Sequence, residues 1–165
     1  MDTEDKIIKE YYSLNEKGQF DFLKGFNQLL NQALAQFFLS IATDINADDD
    51  IRIEAVNILG LYKGDYDDTD IKAKLMTIIN ADDTEDDSLI VNCINTLSLL
   101  TVDDQEIGWA FNMIQGDNYV LFKSAAFDLL ARHKNHPKAV EALKRLVNYK
   151  NYGISAQREL AAIET

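Results

Sequence analysis

The chain of 165 residues contains one cysteine, one proline, two histidines and seven glycines, and no long uninterrupted apolar run. Each scarcity closes off a class of protein. A single cysteine excludes a disulfide framework, and Cys93 sits in the small-residue slot of an apolar helix, where a buried, inert thiol is expected. One proline and few glycines leave no obvious linker, and no stretch is low in complexity. The longest apolar run, near residues 33–42, is interrupted by Gln36 and Ser40 and is too short to span a bilayer. The opening MDTEDKIIKEYY begins acidic and lacks an apolar core, so no signal peptide and a cytoplasmic location are expected.

Chemistry-bearing patterns are equally sparse. His133 and His136 have no acid or thiol within four residues, and His136-Pro137 reads as a helix entry with proline in the first turn. The run Gly64–Asp70, GDYDDTD, has the look of a calcium loop. Counted from Asp65, however, it lacks the sixth-position glycine and carries Met76 where the twelfth-position glutamate belongs, so a solvated turn is expected. No serine or cysteine has a histidine at a recognisable spacing, and no glycine loop could cradle phosphate. Neither an enzyme nor a metal or cofactor site is expected.

What is present is a repeating helical pattern. Within 51–62, Ile51, Ala55, Ile58, Leu59 and Tyr62 share one helical face, and Ile53 and Val56 widen it. A helix apolar over so much of its circumference must be covered on more than one side, as it is in a stack of helices. The pair Ala55 and Leu59 returns as Cys93 and Leu97, Ala126 and Leu130, and Ala156 and Leu160. Between them lie second helices marked by Ile71-Leu75-Ile78, Ile107-Phe111-Ile114 and Ala139-Leu143-Leu146. The marker leucines are 38, 33 and 30 residues apart, a spacing suited to stacked two-helix repeats.

On these residues, most clearly Arg52, Ala55, Val56, Leu59 and Gly60, residues 48–163 resemble the HEAT and armadillo-like family. Only the first repeat keeps the glycine, and the units are short for HEAT repeats. The resemblance implies an all-α fold, a short right-handed α-solenoid of stacked antiparallel helix pairs, with eight or nine helices in a single domain. Residues 1–47 are expected to form aromatic-rich capping helices, since 1–43 hold seven of the sixteen aromatics. There, 2–16 reads as a helix with Ile7, Ile8, Tyr11 and Leu14 inward, closed by Gly18. In 20–41, Phe22, Leu23, Phe26, Leu29, Leu30, Ala33, Leu34, Phe37, Phe38 and Ile41 form one stripe, on one helix or on two broken near Asn31.

The net charge of −12 is unevenly spread. Residues 44–106 carry seventeen Asp and Glu against four Lys and Arg, whereas 107–165 carry five against eight. Helix starts explain part of this, with Asp50, Asp68, Asp87, Asp104 and Asp117 as expected caps. A cap needs one carboxylate, and the joints at 48–50, 65–70, 82–87 and 103–106 have three to five. Such a surface repels phosphate backbones and anionic membranes and attracts a basic protein. Neither direct nucleic-acid binding nor membrane binding is expected.

One residue departs from its slot. At about 100° per residue, Trp109 and Met113 point away from Ile107, Ala110, Phe111 and Ile114. Trp109 either packs against an adjacent repeat or, with Met113 and neighbouring Asn112, anchors an interface rimmed by Asp67, Asp68, Asp70, Asp103 and Asp104. The functional expectation is a noncatalytic protein-binding module docking a basic partner. By analogy its most concrete form is a bacterial immunity protein that neutralises a basic nuclease toxin. A general HEAT-type scaffold or adaptor is the alternative, and a HEAT-like lyase or glycosylase the remote one.

Overall fold

A computed structural model describes residues 2–81 and 83–163, and among them it contains ten α-helices and no strand. The all-α expectation holds, and the helix count is ten rather than eight or nine. The chain divides into two compact units, Met1–Leu100 and Thr101–Thr165.

The first unit contains α1 (Thr3–Ser13), α2 (Glu16–Gly25), α3 (Gln32–Ala42), α4 (Asp49–Leu61), α5 (Thr69–Ile79) and α6 (Asp87–Leu97). Its centre is α4, which packs against α2, α3 and α6. Three-sided cover accounts for the width of its apolar face. Ala55, Val56 and Leu59 are fully buried, and burying a leucine side chain contributes about 1.5–3 kcal/mol. Where α4 meets α6 the helices approach closely. A Cβ on Gly60 would lie 3.0 Å from Leu99 Cδ1, and the buried Thr96 hydroxyl donates to the Val56 carbonyl at 2.9 Å.

Arg52 is only 3% exposed. Its Nε donates to the Ala42 carbonyl at the end of α3 (2.9 Å), and its guanidinium meets Glu85, ahead of α6, at 2.6 Å. Asp49 lies 3.7 Å away on the same guanidinium. One arginine thus ties α3, α4 and the α6 entry together. A buried charge of this kind is tolerable only when its donors are satisfied in this way.

The stretch 20–41 is two helices, and the break follows from local chemistry. Gly25 ends α2, Phe26 turns extended, and Asn31 caps α3 by accepting from the Leu34 amide at 2.9 Å. The linker is held by Leu30 N–H donating to the Tyr62 carbonyl at 2.9 Å. It lies so close to Gly64 that a Cβ there would come within 1.9 Å of the Leu30 oxygen. Because the helical phase resets across this break, Leu29 and Ala33 are exposed rather than inward. Gly18 does not close α1 either. It lies inside α2, and its amide donates to the cap Asn15 at 2.8 Å. Ile7 and Tyr11 are buried as expected, while Ile8 and Leu14 are half-buried. Six of the seven aromatics of 1–43, Tyr11, Tyr12, Phe22, Phe26, Phe37 and Phe38, form one cluster with Tyr62, edge-to-face apart from the tilted Phe37–Phe38 pair, at centroid distances from 4.8 to 6.0 Å.

The second unit contains α7 (Asp104–Gln115), α8 (Val120–Arg132), α9 (Pro137–Leu146) and α10 (Gly153–Ile163). α7, α8 and α9 pack on one another, and α10 packs on α9. The register marks are buried in both units: Ala55, Leu59, Cys93, Leu97, Ala126, Leu130 and Ala156 are fully buried, and Leu160 is half-buried. Every second-helix marker is buried as well.

Candidate protein-binding surface

The acidic joints are built by helix starts. Asp48, Asp68, Asp86 and Asp103 stand at the N-caps of α4, α5, α6 and α7. Asp48 accepts from the Asp50 amide and Asp86 from Ser88, each at 2.9 Å. The caps therefore fall one or two residues before Asp50, Asp87 and Asp104, which lie in the first turn instead. Asp117 caps nothing, since Tyr119 precedes α8. At α7, Glu106 reaches back to the Asp103 amide at 2.9 Å. At these joints Asp48, Asp86 and Asp103 serve the helix starts and Glu85 pairs with Arg52, while Asp50, Asp65, Asp83, Asp87 and Asp104 are exposed. Asp82 lies outside the described residues.

The eight expected interface residues divide between the units, three in the first and five in the second. Asp67 and Asp70 are exposed, but Asp68 is turned inward, 4% exposed and 3.7 Å from Lys63 Nζ, and is not part of an exposed rim. Asp67 accepts from both the amide and the hydroxyl of Thr69 (3.0 and 2.6 Å), and these bonds hold its carboxyl below the usual carboxylate range. Asp70 receives Gln36 Nε2 at 3.3 Å, which links α3 to α5. Asp67, Asp68 and Asp70 are thus directed to separate partners, and Asp65 is exposed. No group of three or more His, Cys, Asp or Glu among the described residues is placed to hold a metal ion.

In the second unit Asp103, Asp104 and Asn112 are exposed, while Trp109 and Met113 are half-buried. The corresponding positions on α5 and α9, Ala73, Thr77, Glu141 and Arg145, are exposed. Trp109 therefore stands on a face that is wet elsewhere, yet it is partly covered. Arg145, although exposed, lays its guanidinium over the Phe111 ring at 4.6 Å across a groove of about 400 Å³ between α7 and α9.

His136 caps α9 with Nδ1 accepting from the Lys138 amide at 3.2 Å, and Pro137 opens the helix as expected. Its Nε2 lies 3.4 Å from Asp104, an acid 32 positions away that a search of neighbouring residues could not find. Cys93 is fully buried, and burial pushes its thiol up to about 12, the reverse of what a nucleophile needs. Tyr66 carries no signal in the sequence. Its hydroxyl is buried without a hydrogen bond among the described residues, and burial, with Asp68 adding to it, raises its pKa to about 12.

Compared with family models, with curated proteins and with solved structures, the chain matches none. No helix among the described residues is long and apolar enough to cross a membrane.

Proposed function

We propose that this chain is a noncatalytic protein-binding module of HEAT-like helix pairs that docks a basic protein through its acidic first unit. Its most concrete form is a bacterial immunity protein that neutralises a basic toxin. One observation carries the reading: residues 1–100 hold twenty Asp and Glu against eight Lys and Arg, while 101–165 hold eight of each. Helix capping uses Asp48 and Asp86, and the Arg52 pair uses Glu85. Asp44, Asp50, Asp65, Asp83 and Asp87 remain exposed, and surplus charge of one sign costs stability through self-repulsion unless a partner offsets it. The partner's cations would supply that offset and speed encounter.

The test is association with a panel of proteins of pI above about 9 and with acidic controls, followed as ionic strength rises. Fast association that weakens with salt, seen only with the basic set, supports the proposal. Equal behaviour toward both sets removes it. The adaptor reading draws on a different observation, the exposed apolar run Tyr119, Val120 and Leu121 at the start of α8 in the neutral unit. A partner retained at high salt, and lost on Leu121→Ser, would favour that reading.

A further inference from the structure

The second unit carries a cation that its own fold leaves without a carboxylate. Residues 142–158 contain Lys144, Arg145, Lys150 and Arg158 and no acid, in a chain whose net charge is −12. Arg145 borders the groove of about 400 Å³ between α7 and α9, with its guanidinium 4.6 Å over the Phe111 ring. The other charges of that groove face one another or a neighbour: Asp104 lies 3.4 Å from His136 Nε2, and Lys138 lies 3.8 Å from Glu141. Among the described residues the Arg145 guanidinium has neither a hydrogen bond nor an ion pair. Stacking occupies one face of the guanidinium and leaves its edge of N–H donors open to a planar acceptor.

Gly108 supplies a second, independent sign of an occupant. It lines the same groove, exposed in the interior of α7. Glycine weakens a helix interior relative to alanine, and its uses are a positive φ or the close approach of another group to the backbone. Neither use exists within the chain. No glycine among the described residues has a positive φ, and a Cβ on Gly108 would meet nothing within 4 Å. Gly60 shows the contrast, since Leu99 and Thr96 stand 3.0 and 3.2 Å from the place its Cβ would take. Beside Gly108 the floor of the groove is apolar, made by Ile107, Phe111 and Ala142.

We propose that this groove receives an acidic amphipathic helix of a protein partner, laid against Gly108 with one of its carboxylates on Arg145. The inference is independent of the docking of a basic protein by the first unit, and it gives the charge-balanced unit a contact of the opposite sign. An amphipathic helix binds a groove through apolar anchors spaced along one face, and the missing side chain at Gly108 lets its backbone come close to α7. A carboxylate meets a guanidinium through two parallel N–H···O bonds, which selects an acid over an amide or a hydroxyl. The surplus of Lys144, Lys150 and Arg158 around that point favours a segment with more than one acid. A nucleic acid would find the same cations, but Asp104 and Glu141 in the walls repel phosphate and the apolar floor offers it no hydrogen bond.

The experiment is an amide chemical-shift titration of the full chain with two synthetic helical peptides of equal length. They share the same spaced leucines and carry either glutamate or lysine at the flanking positions. The expected result is about tenfold tighter binding of the glutamate peptide, with shifts concentrated at 104–111 and 138–145. Arg145→Gln should weaken the glutamate peptide several-fold. Gly108→Leu, whose side chain enters the groove, should weaken it as well while raising the melting temperature, because leucine is the better helix former. Equal affinity for the two peptides, no binding of the glutamate peptide at low salt, or binding left unchanged by either variant overturns the proposal. Tighter binding of a single-stranded oligonucleotide of the same charge overturns it too. A concentration-dependent dimer of the chain alone, abolished by Arg145→Gln, overturns it by placing a second copy in the groove.

Discussion

The two units are made of the same kind of helix and differ in what they do with charge. In residues 1–100 acids outnumber bases by twelve, and the buried centre itself contains an ion pair, Arg52 with Glu85. In residues 101–165 the charges balance, and the ion pairs among the described residues are at least partly exposed, such as Lys134 with Glu159 at 3.0 Å. Helix packing therefore does not require the acidity, because the second unit buries equivalent marker residues without it. The excess negative charge in the first unit calls for a reason outside the fold.

The comparison is broken most severely at Arg52. Arg52→Ala strands Glu85 and the Ala42 carbonyl, and is expected to cost about 3–5 kcal/mol, read from urea unfolding. Hydrogen exchange should accelerate first in α3, α4 and α6. A wild-type unfolding midpoint would show that the first unit does not depend on its buried pair.

Gly64→Ala comes next. With the added carbon 1.9 Å from the Leu30 oxygen, the linker must move, at a cost of about 1–3 kcal/mol. Gly60→Ala meets the flexible end of Leu99 at 3.0 Å and should cost less, so thermal melts of the two variants rank the contacts.

In the second unit, half-burial of Trp109 sets an intermediate expectation for Trp109→Ala, a loss of less than about 2 kcal/mol without any partner. A loss of about 3–5 kcal/mol would place Trp109 in the core and take it out of the interface. If it anchors a partner, the same variant should dissociate faster, with association unchanged.

Neutralising Asp65, Asp67 and Asp70 to Asn is expected to slow association with a basic protein and to leave the melt nearly unchanged. Asp68 is excluded from that set because its carboxylate faces Lys63.

The smallest effect concerns Asp128, whose pKa is raised mainly by partial burial and secondarily by Glu159, against the lowering influence of Arg132. A carboxyl raised above its ordinary 3.8 destabilises the fold where it is ionised, and the penalty fades as pH falls through that raised value. Asp128→Asn should therefore melt slightly higher at neutral pH, by less than about 1 kcal/mol given its exposure, and like the wild type near pH 3.

The buried face of each helix was legible in the sequence because period 3.6 forces apolar residues such as Ile51, Ala55 and Leu59 to one side. Cap positions slipped by one or two residues because a run such as Asp48–Asp49–Asp50 offers equivalent oxygens, and only the backbone chooses among them. Leu29 and Ala33 lie outside the inward stripe because the helical period does not continue across a break pinned by Tyr62 and Gly64, more than thirty residues away. Charge and periodicity, which single out the eight candidate interface residues, report the composition of a surface and not its relief.

Cys93 turns the first unit into its own clock. The chain has no other thiol, and this one is fully buried in α6 with its proton held by burial. A thiol reagent can reach it only while the helices around it are parted, so labelling of the unaltered protein counts those openings one by one. Where reclosing outruns the reagent, the labelling rate gives the free energy of opening; where the reagent wins, it gives the opening rate itself. A bound partner that braces the first unit would slow that clock without ever touching the sulfur.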